Sequence, residues 1–185
     1  MRMDFTNLKH TVAALALWAG LAGGVAAQED AQGLLQSLRT APPQEAAAIS
    51  RKLEAGWRKS GSAAMDLLLQ RGADALEEGD YALAIDHLTA LTDHAPGFAE
   101  GWHLRAQAYY RRSLYGPALA DLERTLALNP DQYNAIFGFA TMAQEFGDSA
   151  RAAALYRMVL DLNPHHENAQ KALDALRREG IGRRL

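Results

Sequence analysis

The chain has 185 residues, a formal net charge of −3 and no cysteine. The lack of cysteine excludes a disulfide framework, a lipid-modified N-terminal cysteine and a covalently attached c-type haem. A mildly acidic chain is a poor ligand for polyanions, because nucleic-acid binding rests on clustered lysine and arginine, so the composition argues against a nucleic-acid partner.

Residues 1–27 have the layout of a secretory signal peptide. Two basic residues precede an apolar run over 11–21, and Val25 and Ala27 occupy the small-residue positions of a cleavage site. We therefore expect cleavage before Gln28 and a periplasmic mature protein. An uncleaved membrane anchor is the alternative, but the apolar run is shorter than the ~20 residues of a membrane span and is followed by glycines.

The segment 28–62 is predicted to form two helices. One helical face near its start carries three leucines, Leu34, Leu35 and Leu38. Two prolines then interrupt the chain, and beyond them an apolar residue recurs every four positions, at Ile49, Leu53 and Trp57. Both stripes have the spacing of helices that bury one face.

The next part of the chain is organised by a 34-residue period. Small residues recur at two positions of the period, first at Gly72, Ala106 and Ala140 and again at Ala84, Ala118 and Ala152. Proline recurs at a third position, at Pro96, Pro130 and Pro164. A small residue lets two helices cross closely, and a proline ends the preceding helix. This pattern resembles the tetratricopeptide repeat, a helix–turn–helix unit that stacks into a superhelix.

The resemblance implies an all-α fold, an α-solenoid whose residues 63–166 hold three units at 65–98, 99–132 and 133–166. The first unit has Arg71 at a position where the family has an apolar residue. We interpret this as a sign that the segment 28–62 covers the outer face of the first unit as an N-terminal cap, because a repeat array exposes apolar surface at its ends. A decayed repeat is one possible origin of this cap.

Residues 167–185 are predicted to close the array with one amphipathic helix and a tail. The apolar face of this helix carries Ala169, Ala172, Leu173 and Leu176. Charged and amide side chains occupy its other faces, as in a helix with one side in water. The residues from 180 onward are predicted to form a frayed tail.

In the family, the first helices of successive units line a concave groove that binds a peptide or a helix. Transferred by position, the resemblance implies a partner groove formed by Asp66, Leu69, Gln70, Ala73, Glu100, His103, Gln107, Tyr110, Arg111, Asn134, Phe137, Thr141 and Gln144. Its aromatic pair, amides and single cation suit a protein or peptide partner. The alternative is an ordinary solvated helix face.

One subgroup of the family binds the acidic C-termini of chaperones through lysine, arginine and asparagine at fixed groove positions. The matching positions here hold Leu69, Ala73, Leu104, Asn134 and Gly138. The cations of that clamp are therefore missing, and this ligand is not expected.

Residue types that could carry catalysis occur without a recognisable catalytic pattern. Acidic residues such as Glu54 and Asp121 have an arginine three or four positions on, and we interpret them as solvated ion pairs. A weak metal candidate at His165, His166 and Glu167 lacks the spacing of a helical zinc site. No nucleophile setting or phosphate loop is recognisable. We expect no cofactor, no metal and no enzymatic activity.

The sequence therefore predicts an exported, non-catalytic protein–protein interaction module, an adaptor or assembly factor for envelope proteins. It identifies neither the partner nor the oligomeric state. A membrane-tethered helper, similar to the repeat domains used in cytochrome c assembly, is the alternative if residues 1–27 remain attached. A hydrolytic or metal-dependent enzyme is the remote alternative.

Overall fold

The computed structural model describes residues 30–178 and Gly180. The described residues form helices and no strand, which confirms the all-α fold. The helices are α1 (30–40), α2 (Pro43–Trp57), α3 (Ala63–Glu78), α4 (Tyr81–His94), α5 (Ala99–Arg111), α6 (Tyr115–Leu128), α7 (Tyr133–Glu145), α8 (Ser149–Leu162) and α9 (Glu167–Arg178). The predicted signal peptide and residues 181–185 of the predicted tail lie outside the described residues. Between residues 30 and 178, no helix is both long and apolar enough to cross a membrane.

Helices α3 to α8 form three helical hairpins, as the sequence period predicts. The alanines that recur along the period, Ala84, Ala118 and Ala152, are each 0% exposed. Gly72 shows why a crossing needs a small residue, because a Cβ there would lie 2.5 Å from Cγ of Leu88 in α4. A larger side chain at this crossing would push α3 and α4 apart. The repeat architecture is confirmed.

The turn inside each unit requires a residue with positive φ. Gly79 and Gly147 have φ of 81° and 82°, a conformation that glycine adopts without strain. The next residues, Asp80 and Asp148, each accept a hydrogen bond at 3.0 Å from a backbone N–H in the first turn of the following helix. In the second unit Ser113 adopts φ of 58°, so a residue with a side chain takes the place of glycine.

The N-terminal helices pack against the last unit of the array. Leu35 and Leu38 of α1 and Leu53 of α2 are at most 2% exposed, in one apolar cluster with residues of α7, α8 and α9. The two predicted helices and their apolar stripes are confirmed. The prediction that they cover the outer face of the first unit is wrong, and Leu67 and Leu83 of that unit remain 47% and 42% exposed.

Polar contacts fix the α1–α2 hairpin along the edge of the array where the connections between units lie. Gln32 Nε2 donates to Asp131 Oδ2 at 2.6 Å, next to the start of α7. Arg39 Nε donates to the carbonyl oxygen of Asp161 at 3.2 Å, at the end of α8. The hairpin therefore runs across the third unit and brings the end of α2 to the concave face.

A buried ion pair within the second unit is linked to the first unit by a further hydrogen bond. Arg105 of α5 donates to Asp121 of α6 through Nε–Oδ2 at 2.7 Å and Nη2–Oδ1 at 2.9 Å. Its Nη1 also donates to Thr92 Oγ1 of α4 at 2.8 Å. The two charged side chains are only 11% and 6% exposed. The interpretation of Asp121 as a solvated partner of Arg124 is wrong, because its carboxylate faces α5 and not the solvent.

Helix α9 closes the array at its other end. Ala169, Leu173 and Leu176 are at most 2% exposed. On the solvent side, Lys171 Nζ lies 3.1 Å from Glu167 Oε2, with both side chains more than 70% exposed. One face of α9 is thus buried and the opposite face is charged, as the sequence predicts.

Candidate functional site

The concave face encloses a groove of about 940 Å³. The first helices of the three units, α3, α5 and α7, form most of its walls, α2 adds a further wall, and α4 and α6 contribute one residue each, Tyr81 and Leu122. Eight of the predicted groove residues line it, namely Glu100, His103, Gln107, Tyr110, Arg111, Asn134, Phe137 and Thr141. The repeat register therefore locates the part of the groove that the second and third units build.

The other five predicted residues do not line the groove. Asp66 accepts hydrogen bonds from the hydroxyl and the backbone N–H of Ser60, which lower the pKa of its carboxyl group. Leu69 is 3% exposed and belongs to the core between α3 and α4. Gln144 accepts a hydrogen bond from the Tyr156 hydroxyl at 2.9 Å. Gln70 and Ala73 of α3 also lie outside the groove lining.

Helix α2 supplies a wall that the repeat register could not predict. The residues it contributes are Arg51, Glu54, Ala55, Trp57 and Arg58. Trp57 is the last residue of the predicted apolar stripe, and the other four lie beside that stripe, which is the one signal that the sequence offers for this wall. The first unit lines the groove only with Leu76 and Glu77 at the end of α3 and with Tyr81 of α4, so the earlier α3 positions contribute less than expected.

Glu54 anchors α2 to the third unit. Its Oε1 accepts hydrogen bonds from the Tyr133 hydroxyl at 2.7 Å and from Asn134 Nδ2 at 3.1 Å. Trp57 packs edge-on against the Tyr133 ring with centroids 5.1 Å apart. The pKa of Tyr133 is raised, mainly because the side chain is buried and secondly because its hydroxyl is bonded to Glu54. The interpretation of Glu54 as a solvated partner of Arg58 is therefore wrong.

A buried polar network forms the floor beneath α2. Glu100, His103 and Gln132 are 7%, 6% and 1% exposed. Gln132 Nε2 donates to Glu100 Oε2, and His103 Nδ1 lies 3.2 Å from the same oxygen. Gln107 Nε2 reaches His103 Nε2 at 3.0 Å. Satisfied networks of this kind hold side chains in one arrangement, so this part of the groove is pre-formed.

The two predicted groove aromatics have different surroundings. The Tyr110 hydroxyl donates to Glu145, and this bond, with burial second, raises the pKa of Tyr110 to about 12. Phe137 packs against the rings of His166 and Tyr156, at centroid distances of 4.8 and 5.6 Å. Phe137 therefore supports the third unit as well as lining the groove, whereas Tyr110 links two units mainly through its hydroxyl.

The histidines at the start of α9 make contacts with protein groups. His165 Nε2 lies 3.0 Å from the carbonyl oxygen of Ala41. His166 Nδ1 accepts a hydrogen bond from the Ala169 backbone N–H at 3.1 Å, and burial lowers the pKa of His166. Among residues 30–178 and 180, no three His, Asp or Glu side chains are grouped closely enough to hold a metal ion.

Sequence comparisons relate the chain to repeat proteins. No family model matches it. A TPR repeat-containing protein of Rhizobium etli is 28% identical over 149 residues, which are 80% of this chain and 73% of that protein. Superkiller complex protein 3 of Mus musculus is 29% identical over 126 residues, 68% of this chain but only 8% of that much longer protein.

Solved structures of similar fold are also repeat proteins. The first TPR of Spaghetti (RPAP3), bound to the HSP90 peptide SRMEEVD, has a TM-score of 0.59 and 25% identity, covering 62% of this chain and 91% of that chain. The MamA protein has a TM-score of 0.58 and covers 84% of both chains, and its 18% identity supports the fold alone. With the three registered units and their helical hairpins, these likenesses show that the chain has the tetratricopeptide repeat fold.

Proposed function

We propose that this chain is a non-catalytic protein–protein interaction module that binds a peptide or helical segment of a partner in its concave groove. The observation that carries the proposal is the groove itself, with its volume of about 940 Å³ and its mixed walls of Tyr110, Phe137 and polar side chains. Aromatic anchors among hydrogen-bonding groups are typical of protein interfaces.

Two further observations support this proposal. The polar floor at Glu100, His103 and Gln132 keeps one side of the groove rigid, which lowers the entropic cost of binding. The Spaghetti TPR, which has the same fold and 25% identity, holds a peptide in its own structure. A role as an adaptor or assembly factor for envelope proteins is the form of this function that fits an exported chain.

The binding proposal can be tested with a displayed random-peptide library. Peptides selected on the wild-type protein should lose at least about tenfold in affinity on Tyr110→Ala, since a truncated interface tyrosine often costs ~2 kcal/mol or more. Phe146→Ala is the matched control, because Phe146 is a 57% exposed aromatic outside the groove lining. Affinities are measured by fluorescence anisotropy.

Equal affinities of wild-type protein and Tyr110→Ala for every selected peptide would contradict binding in the groove. The melting temperature of Tyr110→Ala identifies any loss that comes from unfolding. Phe137→Ala is a poor probe, because Phe137 packs against Tyr156 and His166 and its truncation would also loosen the third unit.

We propose a periplasmic location on the basis of the charge, apolar run and cleavage motif in residues 1–27. N-terminal sequencing of the exported protein is expected to begin at Gln28. Recovery of membrane-bound protein that still begins at Met1 would contradict cleavage and would favour the tethered helper.

A further inference from the structure

The charged side chains around the groove are unevenly exposed. Three arginines and three glutamates line it, so their formal charges balance. Glu100 is 7% exposed inside the polar network, and Glu54 is half-buried beneath bonds from Tyr133 and Asn134. Among the described lining residues, the exposed charges are Arg51, Arg58 and Arg111 against Glu77.

The arginines lie on two different walls. Arg51 and Arg58 belong to α2, and Arg111 stands at the end of α5 with its guanidinium 4.9 Å from the Tyr81 ring centroid. The side chain of Arg51 makes no hydrogen bond or ion pair with residues 30–178 and is exposed. Arg58 Nε lies 3.8 Å from Glu100 Oε1, and half of its side chain is exposed. Guanidinium groups on two helices of one groove can receive carboxylates along one bound segment.

The same groove also has apolar lining residues. Trp57, Leu76 and Met142 line the groove together with the ring of Tyr110. A ligand that satisfies both features carries carboxylates and at least one large apolar side chain. Nucleic acid fits less well, because the exposed cations are few and separated and phosphate binding relies on clustered ones.

We propose that the groove binds an acidic segment of a partner protein, held by Arg51 and Arg58 on α2 and by Arg111 on α5 around an apolar anchor residue. This inference rests on the proposed function and adds the chemistry of the partner. It differs from the chaperone clamp, because two of its three cations come from outside the repeat units and the clamp positions on α3 hold Leu69 and Ala73.

The test uses three labelled peptides of equal length with phenylalanine and leucine at the same positions and glutamate, glutamine or lysine elsewhere. The glutamate peptide should bind the wild-type protein at least about tenfold more tightly than the lysine peptide. Its affinity should fall as ionic strength rises, since exposed charges are screened by salt. Anisotropy titrations at low and physiological salt measure both effects.

Neighbouring residues of α2 provide a matched pair of variants. Arg51→Gln should lower the affinity for the glutamate peptide several-fold and reduce the salt dependence of that affinity. Lys52→Gln removes the same charge outside the groove lining and should leave the affinity unchanged. Arg111→Gln on α5 should reproduce the loss. Circular dichroism and melting curves should show all three variants folded, because these side chains are exposed.

Three results would overturn the inference. They are equal binding of the three peptides, equal effects of Arg51→Gln and Lys52→Gln, and tighter binding of a labelled oligothymidine than of the glutamate peptide. The library experiment separates this failure from failure of the proposed function. If the selected peptides lose affinity on Tyr110→Ala but lack acidic residues, the groove binds peptides and the inference of an acidic partner segment is wrong.

Discussion

Replacement of Asp121 by asparagine is expected to lower the free energy of unfolding by about 3–5 kcal/mol. The Asp121 and Arg105 side chains are only 6% and 11% exposed and share two hydrogen bonds. Asparagine keeps the shape of the side chain but leaves the guanidinium without a counter-charge in a desolvated position. Because Arg105 also bonds to Thr92 of the preceding unit, the loss should loosen the junction between the first two units. Urea unfolding followed by circular dichroism measures the change.

The double variant Arg105→Met, Asp121→Leu is the control for this prediction. It removes both charges and keeps apolar volume, so it should be more stable than Asp121→Asn alone. Glu167→Gln breaks an exposed pair with Lys171 and should leave the melting temperature close to that of the wild type. A loss below about 1 kcal/mol for Asp121→Asn would mean that the pair is effectively solvated.

Leu38→Ala is expected to cost about 2–5 kcal/mol, because Leu38 is 0% exposed in the cluster that joins α1 to the third unit and α9. The location of the damage is as informative as its size. Hydrogen exchange followed by mass spectrometry should become faster in α8 and α9, while α3 and α4 should change less.

Gln36→Ala on the exposed side of α1 is the matched control and should leave both stability and exchange near wild type. Faster exchange confined to α3 and α4 would contradict the packing of α1 on the third unit. It would restore the interpretation of residues 28–62 as a cap on the first unit.

The repeat units could be predicted from the sequence because their contacts are local and periodic. Ala118 lies at a helix crossing for the same reason as Ala84 and Ala152, so one register predicts all three. The register also predicts Gln107 and Thr141 as groove residues, since each occupies a fixed place on the first helix of its unit. The geometry of a repeat needs no information beyond its period.

The packing of α2 could not be predicted in the same way. Its apolar stripe predicts a buried face but does not identify the surface that buries it. The bond from Tyr133 to Glu54 spans 79 residues, and no local pattern connects these two positions. Asp121 illustrates the same difficulty, because an arginine three residues on suggests an exposed pair, whereas burial selects Arg105.

The contact of the first helices with the last unit has a consequence for how the chain folds. In a linear repeat array each unit contacts only its neighbours, so either end can unfold without disturbing the other. Here Gln32 meets Asp131 across 99 residues, and Ser50 lies 3.4 Å from Asn163 across 113. During synthesis the apolar faces of α1 and α2 are made first, but they lack their partner surface until α7 to α9 have emerged. Contacts of such sequence separation slow folding, and they make unfolding of the last unit depend on release of the first helices.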